Sequence, residues 1–144
     1  TKIFTVDFDN TCALEDFPGV GPDVPYAAET LKKLQEQGHK IILYTMRSHP
    51  NKNNQGKTLS GGIISNDTLQ DAIDWFKEND IPLWGINENP KQKEWTSSPK
   101  IYANIYIDDA ALGTPLKYDE DCMIYRPYVD WNRMRTLLKI KGVL

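Results

Sequence analysis

Two carboxylates one residue apart, Asp7 and Asp9, close a short run of apolar and β-branched residues, Ile3-Phe4-Thr5-Val6. Like charges at that spacing repel, so such a pair takes a cation between its members or shares a proton. A second acidic pair, Asp108-Asp109, closes another apolar run, Asn104-Ile105-Tyr106-Ile107. Together Asp7, Asp9, Asp108 and Asp109 would form an oxygen-rich pocket suited to Mg²⁺, which takes carboxylates and water. Thr45 closes a third run, Lys40-Ile41-Ile42-Leu43-Tyr44. Its hydroxyl and the backbone N–H groups beside it suit a phosphate oxygen. Lys100 stands eight residues before Asp108, with an arm long enough to offset excess negative charge in such a pocket. Acids, a divalent metal, a hydroxyl and a lysine make a phosphoryl-transfer site, where charge on the transferring group must be balanced.

These groups work together only if the runs that carry them end at one edge. Each run is short, apolar and β-branched, and reads as a buried strand. Between the first two, Cys12 to Val24 reads as a loop rich in Gly and Pro. Pro25 then suits a first helical turn, Ala27, Leu31 and Leu34 share a helical face, and Gly38 is a stop signal. Ile3 to Thr45 is therefore a β-α-β unit, which implies a parallel pair with a right-handed crossover. Ser48 to Gly62, with three glycines and three asparagines, reads as a flexible loop. Asn66 or Ser65 would cap a second helix burying Leu69, Ala72, Ile73 and Phe76. Pro82 to Ile86 reads as a strand, Asn87 to Lys100 as a polar loop, and Cys122 to Tyr125 as a fifth strand. A last helix would bury Trp131, Met134, Leu137 and Leu138. Strands alternating with helices predict an α/β fold: one doubly wound, Rossmann-like, three-layer domain over residues 1–144. Its sheet is expected to be mainly parallel, of about five strands, with ligands at the carboxyl edge.

At 144 residues the chain suits one domain with a full core. Hydrophobic and charged shares of 40% and 26% are those of an ordinary soluble protein, and the net charge of -3 argues against broad nucleic-acid or membrane binding. No apolar run is long enough to span a bilayer and no signal-peptide pattern opens the chain. Two distant cysteines, Cys12 and Cys122, form no disulfide framework, so a cytoplasmic location is expected.

The chain resembles the haloacid dehalogenase-like (HAD) hydrolase superfamily. Asp7-Phe8-Asp9-Asn10-Thr11 matches its first motif, Asp-x-Asp-x-Thr. Thr45 matches the second, Lys100 the third and Asp108-Asp109 the fourth, in the family's order. Lys91 and Lys93 are alternatives for the third. The resemblance implies a phosphatase acting on a phosphorylated small molecule or an exposed phosphate of a larger one. In it Asp7 is the nucleophile and Asp9 the general acid and base. Mg²⁺ is held by the Asp7 side chain, the Asp9 backbone carbonyl and Asp108, with Asp109 supporting. Thr45, Lys100 and the amides near Phe8 and Asp9 would hold the phosphoryl group, with Thr11, Met46 and Arg47 beside it. An acid at position 9 points to the phosphatase branch. Asn10 stands where the family commonly has Gly, and Asn also accepts left-handed turns. The Cys12–Val24 stretch is too short for a large cap domain, so only a minimal cap is expected.

A different class also uses a doubly wound sheet with acids, Thr and Lys: the phospho-accepting receiver module. Its acid pair comes on the first strand and its Lys last, whereas here Lys100 precedes the final acid pair. A HAD-like scaffold that only binds a phosphorylated ligand is a further alternative. Taken singly, the residues have plainer readings. Arg47 suits either a substrate contact or a surface salt bridge, His49 a solvated loop, Trp95 a loop anchor, and Cys12 a packing residue near the site.

Overall fold

The computed structural model describes residues 1–50, 61–118 and 126–144. Strand β1 (Ile3–Val6) is the centre of a four-stranded parallel sheet with β4 (Lys40–Leu43) on one side and β6 (Ile105–Ile107) on the other. Strand β5 (Gly85–Ile86) adds outside β4, giving the order β5-β4-β1-β6. The fold is mixed α/β, with helices α1 (Ala27–Glu36), α2 (Thr68–Glu78) and α3 (Trp131–Ile140). In register, Val6 stands between Leu43 and Ile107. Phe4, Thr5 and Val6 are all buried, as are Ile41, Ile42 and Leu43. Burial of consecutive residues means that both faces of the two strands are covered, which is why they read as unbroken apolar runs.

The helices follow their apolar periodicity. Ala27, Leu31 and Leu34 are buried on α1, and Gly38 takes φ 90° just past its end. On α2, Leu69, Ala72 and Phe76 are buried with Trp75, while Ile73 is only partly covered. The expected cap shifts by a residue. Asp67 caps α2 by accepting from the Gln70 amide at 3.0 Å. Asn66 instead donates to Asp71 Oδ2 at 2.8 Å and to the Pro18 carbonyl at 2.9 Å. Trp131, Met134 and Leu138 are buried on α3, but Leu137 is half-exposed.

The segment Cys12–Val24 is not a plain loop. It holds an antiparallel hairpin, β2 (Ala13–Asp16) and β3 (Gly19–Asp23), with a register shift between Ala13 and Glu15. Gly21 makes the pairing possible, because a Cβ there would lie 2.2 Å from the Leu14 carbonyl oxygen. The bulge and the glycines erase the alternation that would reveal a strand in sequence. A second small pair, β7 (Leu116–Lys117) with β8 (Tyr128–Val129), was also not expected. The expected strand at Pro82 shortens to β5, though the Trp84 amide donates to the Ile41 carbonyl at 2.7 Å. The expected fifth strand at Cys122–Tyr125, and most of the Ser48–Gly62 loop, lie outside the described residues.

The two extremes of the fold meet on one side chain. His39 Nδ1 accepts from the Lys2 amide at 3.0 Å, and its Nε2 faces the Val143 carbonyl at 2.8 Å. Those partners set the Nε2–H tautomer. Among the described residues no helix is long and apolar enough to cross a membrane.

Candidate functional site

Because β1 lies between β4 and β6, the three strand ends open side by side. Asp7 follows β1, Tyr44-Thr45 follows β4, and Asp108-Asp109 follows β6. The Asp7 amide donates to the Ile107 carbonyl at 2.9 Å, so the ladder itself fixes Asp7 next to Asp108. One carboxylate oxygen from each of Asp7, Asp108 and Asp109 lies within 4.8 Å of the other two. All three residues are half-buried.

The chain then turns sharply. Thr11, Cys12 and Ala13 amides all converge on the Phe8 carbonyl at 3.2, 2.8 and 3.3 Å. Asn10 takes φ 60°, the left-handed conformation expected of it, and its Oδ1 accepts from the Glu15 amide. Thr11 is fully buried and braces the site. Its Oγ1 donates to Asp7 Oδ2 at 3.1 Å and accepts from the Asp109 amide at 3.2 Å. Its carbonyl accepts from Trp131 Nε1 at 2.7 Å. Its hydroxyl therefore serves the acids and not a substrate. The Phe8 ring is buried against Trp75 and Phe76, so its side chain belongs to the core. The Phe8 and Asp9 amides donate to no acceptor among the described residues.

Burial first, and then the facing Asp108 carboxylate, push Asp7 up to about 8. Burial likewise raises Asp109. No Lys or Arg pairs with Asp7, Asp108 or Asp109 among the described residues. Hard oxygen donors, close spacing and missing cationic partners are the donor set of a divalent metal such as Mg²⁺. The residues present fit that ion.

Asp9 stands apart from this cluster. Its side chain turns to Arg47, which grips both oxygens: Nε to Oδ2 at 2.9 Å and Nη2 to Oδ1 at 2.8 Å. The expectation of an Asp9 side chain within one four-carboxylate pocket is therefore not met. Arg47 is buried, which corrects its reading as a substrate contact or surface salt bridge. Met46 has a side chain in open solvent. Thr45 accepts from the Arg47 amide on Oγ1 at 3.2 Å, and its own amide donates to Asn87 Oδ1 at 2.8 Å. The Thr45 amide is thus engaged, while the hydroxyl proton keeps its freedom.

Lys100 is not brought to the acids. The segment that follows it enters β6 at the amino edge, where the Asn104 amide donates to the Ile3 carbonyl at 2.8 Å. Lys100 Nζ lies 5.9 Å from the Tyr106 ring centre, in a cleft of about 400 Å³ with Trp95 and Tyr102. Lys91 precedes a 3₁₀ turn, Gln92–Glu94, and Lys93 lies within it; neither pairs with the acids. Cys12 is a buried packing residue. Burial, then the Asp7 charge, push its thiol well above the ordinary range. His49 is exposed and faces Asp67 at 2.7 Å.

Two site residues escaped the sequence. Asn87, which orients Thr45, looked like the first residue of a polar loop; its left-handed φ of 53° fits an Asn closing a strand. Trp131 looked like core alone, although an indole N–H inside a core always seeks an acceptor.

No protein-family model and no curated protein matches the chain. The chain is similar to a solved structure of a conserved protein from Bacteroides thetaiotaomicron, with 25% sequence identity and a TM-score of 0.68. That likeness covers 98% of this chain and 92% of the other, and it carries the α/β fold.

Proposed function

We propose that the chain is a Mg²⁺-dependent phosphatase of the HAD type, acting on phosphate monoesters. The observation that carries this reading is the meeting of Asp7 with Asp108 and Asp109, with carboxylate oxygens within 4.8 Å and, among the described residues, no cationic side chain paired with them. The order of Asp7-x-Asp9-x-Thr11, Thr45 and Asp108-Asp109 along the chain supports it. A doubly wound, three-layer Rossmann-like arrangement belongs to the same proposal. The strand order β5-β4-β1-β6 and the burial of both faces of β1 and β4 support it.

Asp7, Asp108 and Asp109 would hold the ion, with the Asp9 backbone carbonyl. Bound there, Mg²⁺ would neutralise the carboxylates and the phosphoryl oxygens. An Asp7 oxygen forms the new bond to phosphorus as the bond to the leaving oxygen breaks. The proton of a protonated Asp9 goes to that leaving oxygen. Asp9 then takes a proton from water as the water oxygen bonds phosphorus and the Asp7–phosphorus bond breaks. Inorganic phosphate leaves and both acids are restored. The free Phe8 and Asp9 amides and the Thr45 hydroxyl hold phosphoryl oxygens. Lys100 has no part in this scheme, so the charge balance rests on the ion.

Phosphate release from p-nitrophenyl phosphate, with Mg²⁺ and with chelator, tests the reading. Turnover should need Mg²⁺ and should fall by about 10⁴-fold or more in Asp7→Asn, the scale of losing a nucleophile. Turnover that survives either change removes the proposal.

A further inference from the structure

Arg47 is the most fully satisfied charged group among the described residues. A guanidinium has five N–H donors. Besides the two on Asp9, Nη2 donates to the Gly19 carbonyl at 2.6 Å, and Nη1 to the Thr68 and Pro18 carbonyls at 3.2 and 3.5 Å. The Phe8 and Phe17 ring centres lie 5.0 and 5.3 Å from its central carbon. No donor is left for a substrate.

The pair is lopsided in exposure. The Arg47 side chain is 1% exposed, that of Asp9 26%. Arg47 thus grips the carboxylate from inside the protein, while the Asp9 side chain keeps a share of its surface open. A fork of two parallel bonds fixes a carboxylate in position and in rotation, which one point charge cannot do. Its other anchors are spread over two elements: Pro18 and Gly19 in the β2–β3 hairpin, and Thr68 at the start of α2.

We propose that Arg47 is the positioning residue for Asp9, and that it makes the direction of the Asp9 carboxyl depend on the docked hairpin. This rests on the reading of Asp9 as the acid and base of a phosphatase. The fork takes one lone pair on each Asp9 oxygen and leaves the others for the proton in transfer. What the fork fixes is where the proton is delivered. Delivery matters most when the leaving oxygen is strongly basic, as in an alkyl phosphate, and least when it is a nitrophenolate, which departs without help.

The test compares p-nitrophenyl phosphate with glycerol phosphate, using the full chain with Mg²⁺. In Arg47→Lys, which keeps the charge and loses the fork, kcat on glycerol phosphate should fall about 100-fold or more, within the range of general acid catalysis. On p-nitrophenyl phosphate it should fall less than about 10-fold, with KM held on both. Adding Asp9→Asn to Arg47→Lys should cost little more on glycerol phosphate. Equal losses on the two esters, or a raised KM with kcat kept, would overturn the inference. Phe17→Leu, at an exposed ring, carries the same comparison if Arg47→Lys does not fold; a flat ratio there overturns it equally. Failure of the underlying function looks different: the wild type would release phosphate from neither ester, and the inference would fall with it.

Discussion

The Asp109 amide donates to Thr11 Oγ1 at 3.2 Å, joining residues that lie 98 positions apart. The same hydroxyl donates to Asp7 Oδ2. One buried oxygen therefore ties the end of β1 to the end of β6, and the spacing of the acids depends on it. Thr11→Val keeps the shape and removes both bonds, leaving a buried amide without its acceptor. It should lower stability by ~1–3 kcal/mol, and Thr11→Ser should restore most of it. Urea unfolding measures both; a neutral Thr11→Val would show that the brace carries no weight.

Stability should fall as pH rises through the range set by Asp7. Its folded value of about 8 lies above the ordinary 3.8, because of burial and then Asp108. Between those values the folded state holds more protons than the unfolded one, so raising pH destabilises, by up to ~1.4 kcal/mol per unit. In chelator, Tm should drop from pH 5 to pH 8. Mg²⁺ should raise Tm more at pH 8 than at pH 5, since it binds the ionised cluster. A Tm that stays level with pH in chelator speaks against the arrangement.

Asp7→Asn removes the buried charge at the centre of that effect. Without divalent ions the variant should be more stable than the wild type at pH 8 and should show a much flatter pH dependence. The same thermal scans check it, and they separate loss of activity from loss of fold.

Gly21→Ala should disturb the hairpin from within. Its added Cβ would meet the Leu14 carbonyl oxygen at 2.2 Å, so the strands must part. A loss of ~1–3 kcal/mol is expected, as for other overpacked sites. Hydrogen exchange should show it spreading to the Arg47 side of the hairpin before it reaches β1.

Gln92 staples the Asn87–Lys100 loop. Its Nε2 donates to the Ser98 and Lys100 carbonyls at 3.0 and 2.9 Å, and its Oε1 accepts from the Tyr102 amide at 2.8 Å. Gln92→Leu should destabilise by ~1–3 kcal/mol while leaving Mg²⁺ binding unchanged. Calorimetric Mg²⁺ titration beside thermal unfolding checks both halves.

The sheet was legible as unbroken apolar runs and the helices as a period. β1, β4 and β6 are continuous apolar runs, and α1 and α2 repeat their buried residues every three or four positions. The acids at the strand ends were legible for the same reason: a charge that closes an apolar run is conspicuous. What stayed hidden depends on partners far away in the chain. Arg47 finds Asp9 across 38 residues, and nothing beside it announces burial. The β2–β3 hairpin is held by a bulge and side-chain anchors, without alternation. Lys100 had a plausible distance along the chain from Asp108, but count alone does not say which end of a strand an approaching segment reaches.

The imidazole of His39 has a topological consequence. Since it holds the Lys2 amide and the Val143 carbonyl at once, the two extremes of the fold are neighbours in space. Topologically the fold is then almost a closed ring, and the place where the ring is cut becomes a matter of choice. A short linker from Leu144 to Thr1, with new termini opened at the exposed Gly113 between β6 and β7, would give a circular permutant that cuts no sheet ladder. In such a chain β7, β8 and α3 would come first, β1 would lie inside and the strand bearing Asp108-Asp109 would come last, with the order of the acids and their meeting point both unchanged.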